Sequence, residues 1–366
     1  MWFVPPLRFP EFSGEWKAET ITDACTLYNG RAYKQEELLS TGKYQVLRVG
    51  NFFTNDSWYY SDLELDEQKT IVKGDLLYAW SASFGPRFWT GEKAIYHYHI
   101  WKVIPKEHID KYYLYYFLYK DSLIIKSKSQ GGTMVHVTKG DMEKRPMQFP
   151  CLEEQRKIAK LLSLLDERIA TQTKIIEDLK KLKSAITDLL FHSIADAHTI
   201  RLGKIAHITN GAGDVQDANT EHQEDWYPFF DRSEELKWFP TYSFDKEAVI
   251  YAGEGQSFYP RYYNGKFALH QRCYAITDFA SCIIPKYCYH FMNTLNSYFV
   301  RNSVGSTVPS LRMDIFQKVE IRLPPISKQQ HICKIIDAFY TKLEVEQRGI
   351  SILQELKQFL LSQMFI

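Results

Sequence analysis

Two stretches of the sequence, far apart in the chain, decide the fold. They are residues 150–183, PCLEEQRKIAKLLSLLDERIATQTKIIEDLKKLK, and residues 324–357, PPISKQQHICKIIDAFYTKLEVEQRGISILQELK. Identical residues recur in and around them at a constant distance of 174, as from Gln155 to Gln329. The matched positions are Gly131, Thr133, Pro150, Gln155, Ile158, Lys160, Ile176, Leu179, Leu182, Lys183 and Phe191, and Gly305, Thr307, Pro324, Gln329, Ile332, Lys334, Ile350, Leu353, Leu356, Lys357 and Phe365. Repetition at one distance indicates two copies of a single structural unit.

The repeat extends upstream of the quoted stretches. The same distance relates Phe84, Pro86, Arg87 and Gly91 to Phe258, Pro260, Arg261 and Gly265, whereas Asn29-Gly30 matches Asn210-Gly211 only after an insertion. Each copy therefore reads as a globular part followed by a helix. We predict a first domain over residues 1–150, a spacer helix over 151–195, a second domain over 196–325 and a second spacer helix over 326–366.

Both spacer segments carry an apolar stripe at alternating steps of four and three residues, which is the pattern of paired helices. The residues expected to pair are Ile158, Leu162, Leu165, Ile169, Ile176, Leu179, Ile332, Ile336, Phe339, Leu343, Ile350 and Leu353. Polar residues interrupt both stripes at the same two steps, Gln172 with Glu346 and Lys183 with Lys357. A helix of about forty residues, about 60 Å long, cannot bury such a stripe alone.

We predict that the two helices pair antiparallel within one chain, which would place the two globular domains at opposite ends of a rod. The alternative is that they are dimerisation arms that pair between chains.

The globular parts combine helices and strands. Pro150 and Pro324-Pro325 stop helix just before the long helices, and Glu153-Glu154 place negative charge in a first turn. Strands are predicted over residues 44–49, 71–79, 96–104, 146–149, 249–252, 273–276 and 319–323, and shorter helices over 109–126 and 286–301. The predicted fold class is mixed α and β, a pseudo-two-fold tandem repeat of two similar globular domains and two long antiparallel coiled-coil helices.

The composition favours a folded intracellular protein. No run of about eighteen apolar residues is present, and the first residues lack a charged segment followed by an apolar one, so we expect a cytoplasmic protein without a membrane anchor. The six cysteines include no C-x-x-C pair, which favours reduced thiols. The net charge of +1 hides two basic segments: residues 81–128 contain eight basic against four acidic residues, and residues 236–325 contain ten against six. Imbalances of this size are also common on plain solvated surface.

Several kinds of catalytic or metal chemistry lack their sequence signatures. The chain has no P-loop motif and no Asn/Asp-Pro-Pro-aromatic motif of an amino-methyltransferase, and Gly211-x-Gly213 is too short for a nucleotide loop. His97 and His99 have the spacing of one strand face, where packing or a nucleic-acid contact is favoured over metal binding. Cys282, Cys288 and His290 are irregularly spaced and favour buried thiols. The sequence therefore predicts a binding protein.

Residues 80–89 and 255–263 interleave aromatic and basic residues in segments of loop composition. Arg87 and Arg261 are predicted as a matched pair of DNA contacts, although a fixed turn with a locally stacked arginine is an equal alternative. Small residues beside positive charge predict phosphate contacts at Lys126, Lys128, Thr133, Arg301, Asn302, Ser306 and Thr307, where a glycine turn is the alternative. The remaining DNA-binding candidates are Arg48, Asn51, Trp80, Arg232, Lys266, Gln271 and Arg272.

The sequence also resembles a known family. Residues 6–12 (PLRFPEF) before Gly14-Glu15-Trp16, and the run Pro150-x-x-Glu153-Glu154-Gln155 before a long helix, resemble the opening and the first conserved region of type I restriction-modification specificity subunits. Gly305-Ser306-Thr307, Pro324-Pro325 and Gln329-Gln330 resemble the second copy, except that Lys328 stands where the family usually has Glu. The resemblance covers the whole chain.

This resemblance implies a non-catalytic subunit in which each domain reads one half of a split DNA target. It implies that the helices set the spacing between the halves and dock two methyltransferase subunits, and through them restriction translocase subunits. ATP, Mg²⁺ and S-adenosylmethionine would then bind to partner subunits, with the endonuclease and adenine-methyltransferase activities of the complex. The alternative from another class is a stand-alone DNA-binding or architectural protein that dimerises through its helices. An enzyme with an unrecognised active site is a third possibility.

Overall fold

A computed structural model of the chain describes residues 4–53, 55–81, 85–128, 137–192, 196–305 and 307–365. Backbone contacts divide the chain into two compact units. The first unit is Met1–Thr173 with Gly349–Ile366, and the second is Lys174–Arg348. Each unit therefore combines segments from both sequence repeats.

The first unit contains two four-stranded sheets and a two-stranded ribbon. Its strands are β1 (Lys17–Thr20), β2 (Cys25–Asn29), β3 (Tyr44–Leu47), β4 (Tyr59–Ser61), β5 (Thr70–Ile71), β6 (Leu76–Ala79), β7 (Gly85–Phe88), β8 (Ala94–Tyr96), β9 (Ile100–Pro105) and β10 (Pro146–Phe149). The sheet orders are β2-β9-β6-β7 and β4-β3-β8-β5, and β1 pairs with β10. The helices that begin here are α1 (Ile21–Ala24), α2 (Val49–Phe53), α3 (Lys111–Lys128), α4 (Lys139–Glu143) and the long α5 (Leu152–His192).

The second unit contains a six-stranded sheet and a two-stranded ribbon. Its strands are β11 (His198–Arg201), β12 (His207–Asn210), β13 (Tyr227–Phe230), β14 (Lys237–Phe239), β15 (Phe244–Ala252), β16 (Arg261–Leu269), β17 (Cys273–Thr277) and β18 (Glu320–Leu323). The sheet order is β12-β17-β15-β16-β13-β14, and β11 pairs with β18. The helices that begin here are α6 (Pro285–Met292), α7 (Asn296–Asn302), α8 (Met313–Gln317) and the long α9 (Ile326–Met364).

The strand orders confirm the predicted tandem repeat and the mixed α and β fold. The order β2-β9-β6-β7 in the first unit matches β12-β17-β15-β16 in the second, and the ribbons β1–β10 and β11–β18 also match. Each unit has one parallel pair at the corresponding place, β3 with β8 and β13 with β16. The helices α3 and α4 correspond to α6–α7 and α8, and α5 corresponds to α9.

Five local predictions of secondary structure were wrong. The predicted strands 71–79 and 96–104 are each two strands, separated by a turn at Gly74, whose φ is +92°, and by a turn at residues 97–99. The predicted helix 286–301 is interrupted between α6 and α7, where the Thr294 hydroxyl donates to the Phe291 carbonyl and competes with the helix pattern. In the predicted loop 80–89, residues Gly85–Phe88 form β7, and Arg261 begins β16 rather than lying in a loop.

A buried glutamine joins each globular domain to its long helix in the same way. The Gln155 amide nitrogen donates to the carbonyls of His108 and Pro150, both at 3.0 Å, and its oxygen accepts from the Asp110 backbone at 2.8 Å. In the second unit Gln329 donates to Cys282 and Pro324 and accepts from Ile284, and these partners are shifted by the same 174 positions. Both side chains are fully buried. We call each set of three hydrogen bonds a glutamine clamp.

The long helices meet in each unit, the early part of one against the late part of the other. In the first unit Lys357 donates to Asp166 at 2.5 Å, and in the second unit Lys183 lies 4.1 Å over the Tyr340 ring. Positions 183 and 357 correspond in the repeat, and so do positions 166 and 340. The late lysine of α9 therefore contacts the early part of α5 in the first unit, and the late lysine of α5 contacts the early part of α9 in the second. This exchange requires antiparallel pairing. Each residue of the two predicted apolar stripes is buried or half-buried.

The end of each long helix packs into the core of the domain that belongs to the other repeat. Phe365, at the end of the second repeat, lies 4.9 Å from Tyr113 in the first unit, and Phe191, at the end of the first repeat, lies 5.5 Å from Tyr287 in the second. Leu360, Leu361 and Met364 join Ile158 and Leu162 in the buried cluster of the first unit. Neither domain core is therefore made from one sequence repeat alone.

The start of each long helix carries an ion pair, but the helix supplies the acidic residue in the first copy and the basic residue in the second. Arg8 makes two 2.7 Å bonds to the fully buried Glu154, whereas Lys328, at the corresponding position, binds the exposed Asp196 at 2.7 Å. The lysine that departs from the family pattern therefore still makes an ion pair, but this pair is exposed to solvent and contributes little to stability.

The glutamine clamps lead to a stability prediction. Replacing Gln155 or Gln329 with Leu leaves three backbone groups without their side-chain partners, and such a group costs about 1–3 kcal/mol where it is buried. We expect each variant to lower the free energy of unfolding by about 2–4 kcal/mol, measured by urea titration of the full chain. Gln354→Leu on an exposed face of α9 is the control. Equal costs for the clamp and control variants would contradict the role of the clamps.

Candidate nucleic-acid interface

Three of the predicted DNA-contact residues of the second unit border one open cavity of about 530 Å³. They are Arg232, Gln271 and Arg272, and the cavity is also lined by Val215, Asp231, Ser233, Lys237, Glu254, His270 and Cys273. Lys237 is paired with the buried Asp231 at 2.6 Å, and Arg272 donates to Glu254 at 2.8 Å. The cavity therefore combines neutralised cations with the exposed Arg232.

Arg261 supports the wall of this cavity. Its guanidinium donates to the Ser233 carbonyl and lies 5.9 Å from the Phe230 ring. Arg87, its partner in the sequence repeat, is exposed and lies 4.9 Å over the Phe53 ring. The two arginines occupy corresponding strands but have different surroundings.

The other candidates of the second unit lie apart from the cavity or at its edge. Lys266 is exposed and lies 4.7 Å over the Tyr242 ring. Arg301 and Asn302 end α7, where the Asn302 amide donates to the Tyr298 carbonyl at 2.8 Å. The exposed Thr307 follows, in a loop that reaches Glu254 through a bridge to Ser310. Ser306 lies outside the described residues.

In the first unit Arg87 and Lys126 line a second open cavity, of about 580 Å³. Burial, and then the nearby Arg87 charge, lower the pKa of Lys126. Lys357 also lines this cavity, with Tyr115, Tyr119 and Ser122, but its charge is paired with Asp166. The side chain of Lys128 and the whole of Thr133 lie outside the described residues.

The remaining candidates of the first unit have identifiable packing roles. Arg48 lies 4.2 Å over the Tyr59 ring, and its Nε atom has no hydrogen-bond partner among the described residues. The Asn51 amide closes its own loop by donating to the carbonyls of Asn55 and Ser57. Trp80 stacks on Trp101 at 5.9 Å and donates to the Tyr98 carbonyl, so its ring belongs largely to the domain.

The structure reveals one element that sequence reasoning missed in the first unit. Residues 97–99 form a turn that matches residues 270–272: Ile100 donates to the His97 carbonyl at 3.0 Å, and Cys273 donates to that of His270 at 2.8 Å. The backbone at Tyr98 is held by the Arg31 carbonyl, and that at Gln271 by the Gly213 carbonyl. We call these two segments the first and second reading turns. His97 and His99 thus lie on a turn and not on one strand face as predicted.

The matched glycines explain how the reading turns are held. A Cβ atom on Gly30 would lie 2.3 Å from the Tyr96 carbonyl oxygen, and one on Gly211 would lie 2.0 Å from that of Leu269. Only glycine permits this approach. The Asn-Gly pairs at 29–30 and 210–211 were the sequence signal for equivalent turns.

The first reading turn is aromatic, and its His97 is neutral at pH 7. Burial, with the nearby His99 and Arg48, lowers the pKa of His97 to about 4. Tyr98 is 39% exposed, and its ring centroid lies 3.9 Å from that of His99. The turn therefore presents aromatic surface with polar edges.

Metal binding finds no support in the part of the chain that the structure describes, where no three metal-binding side chains cluster. Cys288 is buried, and His290 bonds to Asp337 at 2.9 Å. Cys282 is exposed, so its prediction as a buried thiol was wrong. No helix among the described residues is long and apolar enough to cross a membrane.

Two related domains that expose cationic and aromatic surface define a two-domain recognition protein. The chain belongs to the family of the type I restriction modification DNA specificity domain, whose model matches residues 13–181 and 195–358. Specificity subunits of this family are in general non-catalytic.

Two relatives agree with this assignment. The chain is 31% identical over 165 residues to the type I restriction enzyme EcoDI specificity subunit of Escherichia coli, which covers 45% of this chain and 36% of that protein. It is 32% identical over 189 residues to the MjaVIII specificity subunit of Methanocaldococcus jannaschii, which covers 50% of this chain and 43% of that protein. The chain thus spans less than half the length of either relative.

Two solved structures share the fold at low sequence identity. The S subunit of the type I restriction-modification system of M. genitalium matches with a TM-score of 0.68 and 18% identity, over 100% of this chain and 99% of that one. A structure concerning complex assembly and conformational transition of the type I R-M system matches with a TM-score of 0.60 and 17% identity, over 98% of this chain and 99% of that one.

The neutral His97 leads to a prediction about pH. Its folded pKa of about 4 lies below the ordinary 6.5, so its contribution to stability is present above pH 6.5 and is lost as the pH falls toward 4. We expect an NMR titration of its ring to give a pKa near 4. Arg48→Met should raise that value while leaving it below 6.5, because burial remains. A wild-type value near 6.5 would contradict the burial of this ring.

Proposed function

We propose that the chain reads a split DNA target for a type I restriction-modification enzyme, with one half-target for each globular domain. The observation that carries this proposal is a repeated backbone frame with different side chains in the two copies. The two reading turns have matching backbone hydrogen bonds but present Tyr98-His99 in one copy and Gln271-Arg272 in the other. Two similar domains with different surfaces suit a target whose halves differ in sequence.

The charges near the two cavities support binding to DNA. Arg87, Lys126 and Arg232 can neutralise phosphates, which fixes register without reading sequence. Because other lysines and arginines are already paired with carboxylates, the sequence-independent affinity for phosphates stays modest. Sequence recognition then depends on side chains that reach base edges.

The alternative, a stand-alone protein that dimerises through its helices, is less favoured. In each unit the stripe of one long helix meets the other long helix of the same chain, as the Lys357–Asp166 and Lys183–Tyr340 contacts illustrate. Pairing between chains would have to displace these contacts.

The outer faces of the long helices support docking of methyltransferase subunits. Three large apolar side chains on α5 in the second unit are exposed, and three on α9 in the first unit are exposed. They are Ile175 (37%), Leu182 (49%), Leu189 (64%), Ile352 (63%), Leu356 (41%) and Phe359 (55%). One patch per unit matches two docked subunits. ATP, Mg²⁺ and S-adenosylmethionine then belong to the partners, and the complex acts in the cytoplasm.

A domain replacement within the chain tests independent reading. Residues 25–105 are replaced by residues 206–278, which keeps Tyr113, the glutamine clamps and both long helices. Co-expressed with a methyltransferase subunit that the chain binds, the variant should modify a target in which both halves are the original second half-target. Methylome sequencing identifies the modified sites.

The reciprocal replacement, residues 206–278 by 25–105, is the matched control and should duplicate the first half-target. If either replacement altered both halves, or if the modified sequence stayed that of the wild type, independent reading by two domains would be refuted.

A second experiment tests the docking surface. Leu182→Ser with Leu189→Ser removes apolar surface on one unit without touching the buried stripe, so we expect the chain to retain one methyltransferase subunit and lose the other. Native mass spectrometry of the co-purified complex measures the stoichiometry. Lys180→Ser with Lys181→Ser, on exposed positions of the same helix, is the control. Retention of two subunits by the Leu variant would place docking elsewhere.

A further inference from the structure

The backbones of the two reading turns are held by hydrogen bonds on both sides. The second turn is fixed by hydrogen bonds from Cys273 to His270, from Gln271 to Gly213 and from Gly253 to Arg272, at 2.8, 3.1 and 2.9 Å. The first turn repeats each of these bonds, with Trp80 donating to His99 at 3.1 Å. A backbone constrained on both sides holds its side chains in fixed positions, which base reading requires.

The side chains on the second reading turn are available to a ligand. Gln271 is exposed, and its side-chain amide has no hydrogen bond with the described residues. Arg272 is exposed and uses one guanidinium nitrogen for Glu254, which leaves its other donors available and orients the fork. Amide and guanidinium forks are the groups that make paired hydrogen bonds to adenine and guanine.

The second turn also borders the open cavity that holds Arg232, so its side chains lie beside a cation that can contact phosphate. The first turn lies near Arg48, whose charge acts on His97. Each turn thus combines a rigid frame, side chains that differ between the copies, and a nearby positive charge.

Resting on the proposed function, we propose that the two reading turns are the specificity determinants of their domains. Gln271 and Arg272 contact base edges of one half-target, and Tyr98 and His99 contact those of the other. His97 and His270, which are the same residue in both copies, position the turns and do not discriminate between bases.

The test uses the full chain with its methyltransferase partner and sequences the methylome of cells that carry single variants. Arg272→Lys keeps the charge but loses the fork, so discrimination at one base pair of the second half-target should fall by about 10- to 100-fold, with the first half-target unchanged. Gln271→Leu should relax a neighbouring base pair, and Tyr98→Leu should relax only the first half-target. Arg201→Lys and Lys73→Ala, exposed residues away from both turns, are the matched controls.

The possible outcomes separate this proposal from the broader one. If the wild type modifies a split target and every turn variant modifies the same target unchanged, the proposed role of the turns is wrong, while the proposed function still holds. No split target for the wild type would overturn both. Relaxation of both halves by a single turn variant would also contradict the proposal, and urea unfolding of each variant identifies any loss of folding.

Discussion

The arrangement of each unit depends on a buried glutamine. Gln155 and Gln329 each donate to the carbonyl of the proline that ends the domain and to a carbonyl in the segment before α3 or α6. Each also accepts from a backbone N–H two residues after that carbonyl. An amide group can satisfy donors and acceptors together, which neither lysine nor glutamate can do. Because both glutamines are fully buried, losing the amide would leave the backbone groups that face it without partners, which is costly where water is excluded. The clamp therefore sets where each long helix begins relative to its domain.

The exchange of helix ends builds on that start. Phe365 packs in the unit that contains most of the first repeat, and Phe191 packs in the unit that contains most of the second. Both units keep the contact between the long helices although the residues differ. The lysine pairs with Asp166 in one unit and with Tyr340 in the other. A salt bridge and a cation–π contact thus serve at equivalent positions. The geometry of the repeat is retained while its side-chain chemistry varies.

The sequence predicted most of what depends on local periodicity. The long helices, the ribbon strands before them and the repeat distance were visible because apolar spacing and identical residues are properties of the chain itself. The prediction failed where distant partners decide the structure. β7 forms because β6 offers it backbone partners, although Gly85-Pro86 reads as loop, and residues 97–99 turn because Gly30 lies against the preceding strand. Among the DNA candidates, Trp80 and Asn51 have internal roles, since an aromatic or amide in an apparent loop serves packing as readily as binding.

The charge distribution bears on how such a protein can discriminate. Many lysines and arginines near the candidate surfaces are already paired with carboxylates, such as Lys237 with Asp231, Arg272 with Glu254 and Lys357 with Asp166. The net charge of +1 agrees with this balance. Binding to phosphates without regard to sequence grows with the number of cations that contact phosphate, so local pairing of these cations with carboxylates would reduce the affinity for wrong sequences. Discrimination is a ratio of affinities. Under the proposed function, a small sequence-independent affinity would let a few oriented side chains on the turns dominate this ratio. If Arg272 reads a base as proposed, its pairing with Glu254 has two effects, because it orients the guanidinium and reduces the charge that would bind any DNA.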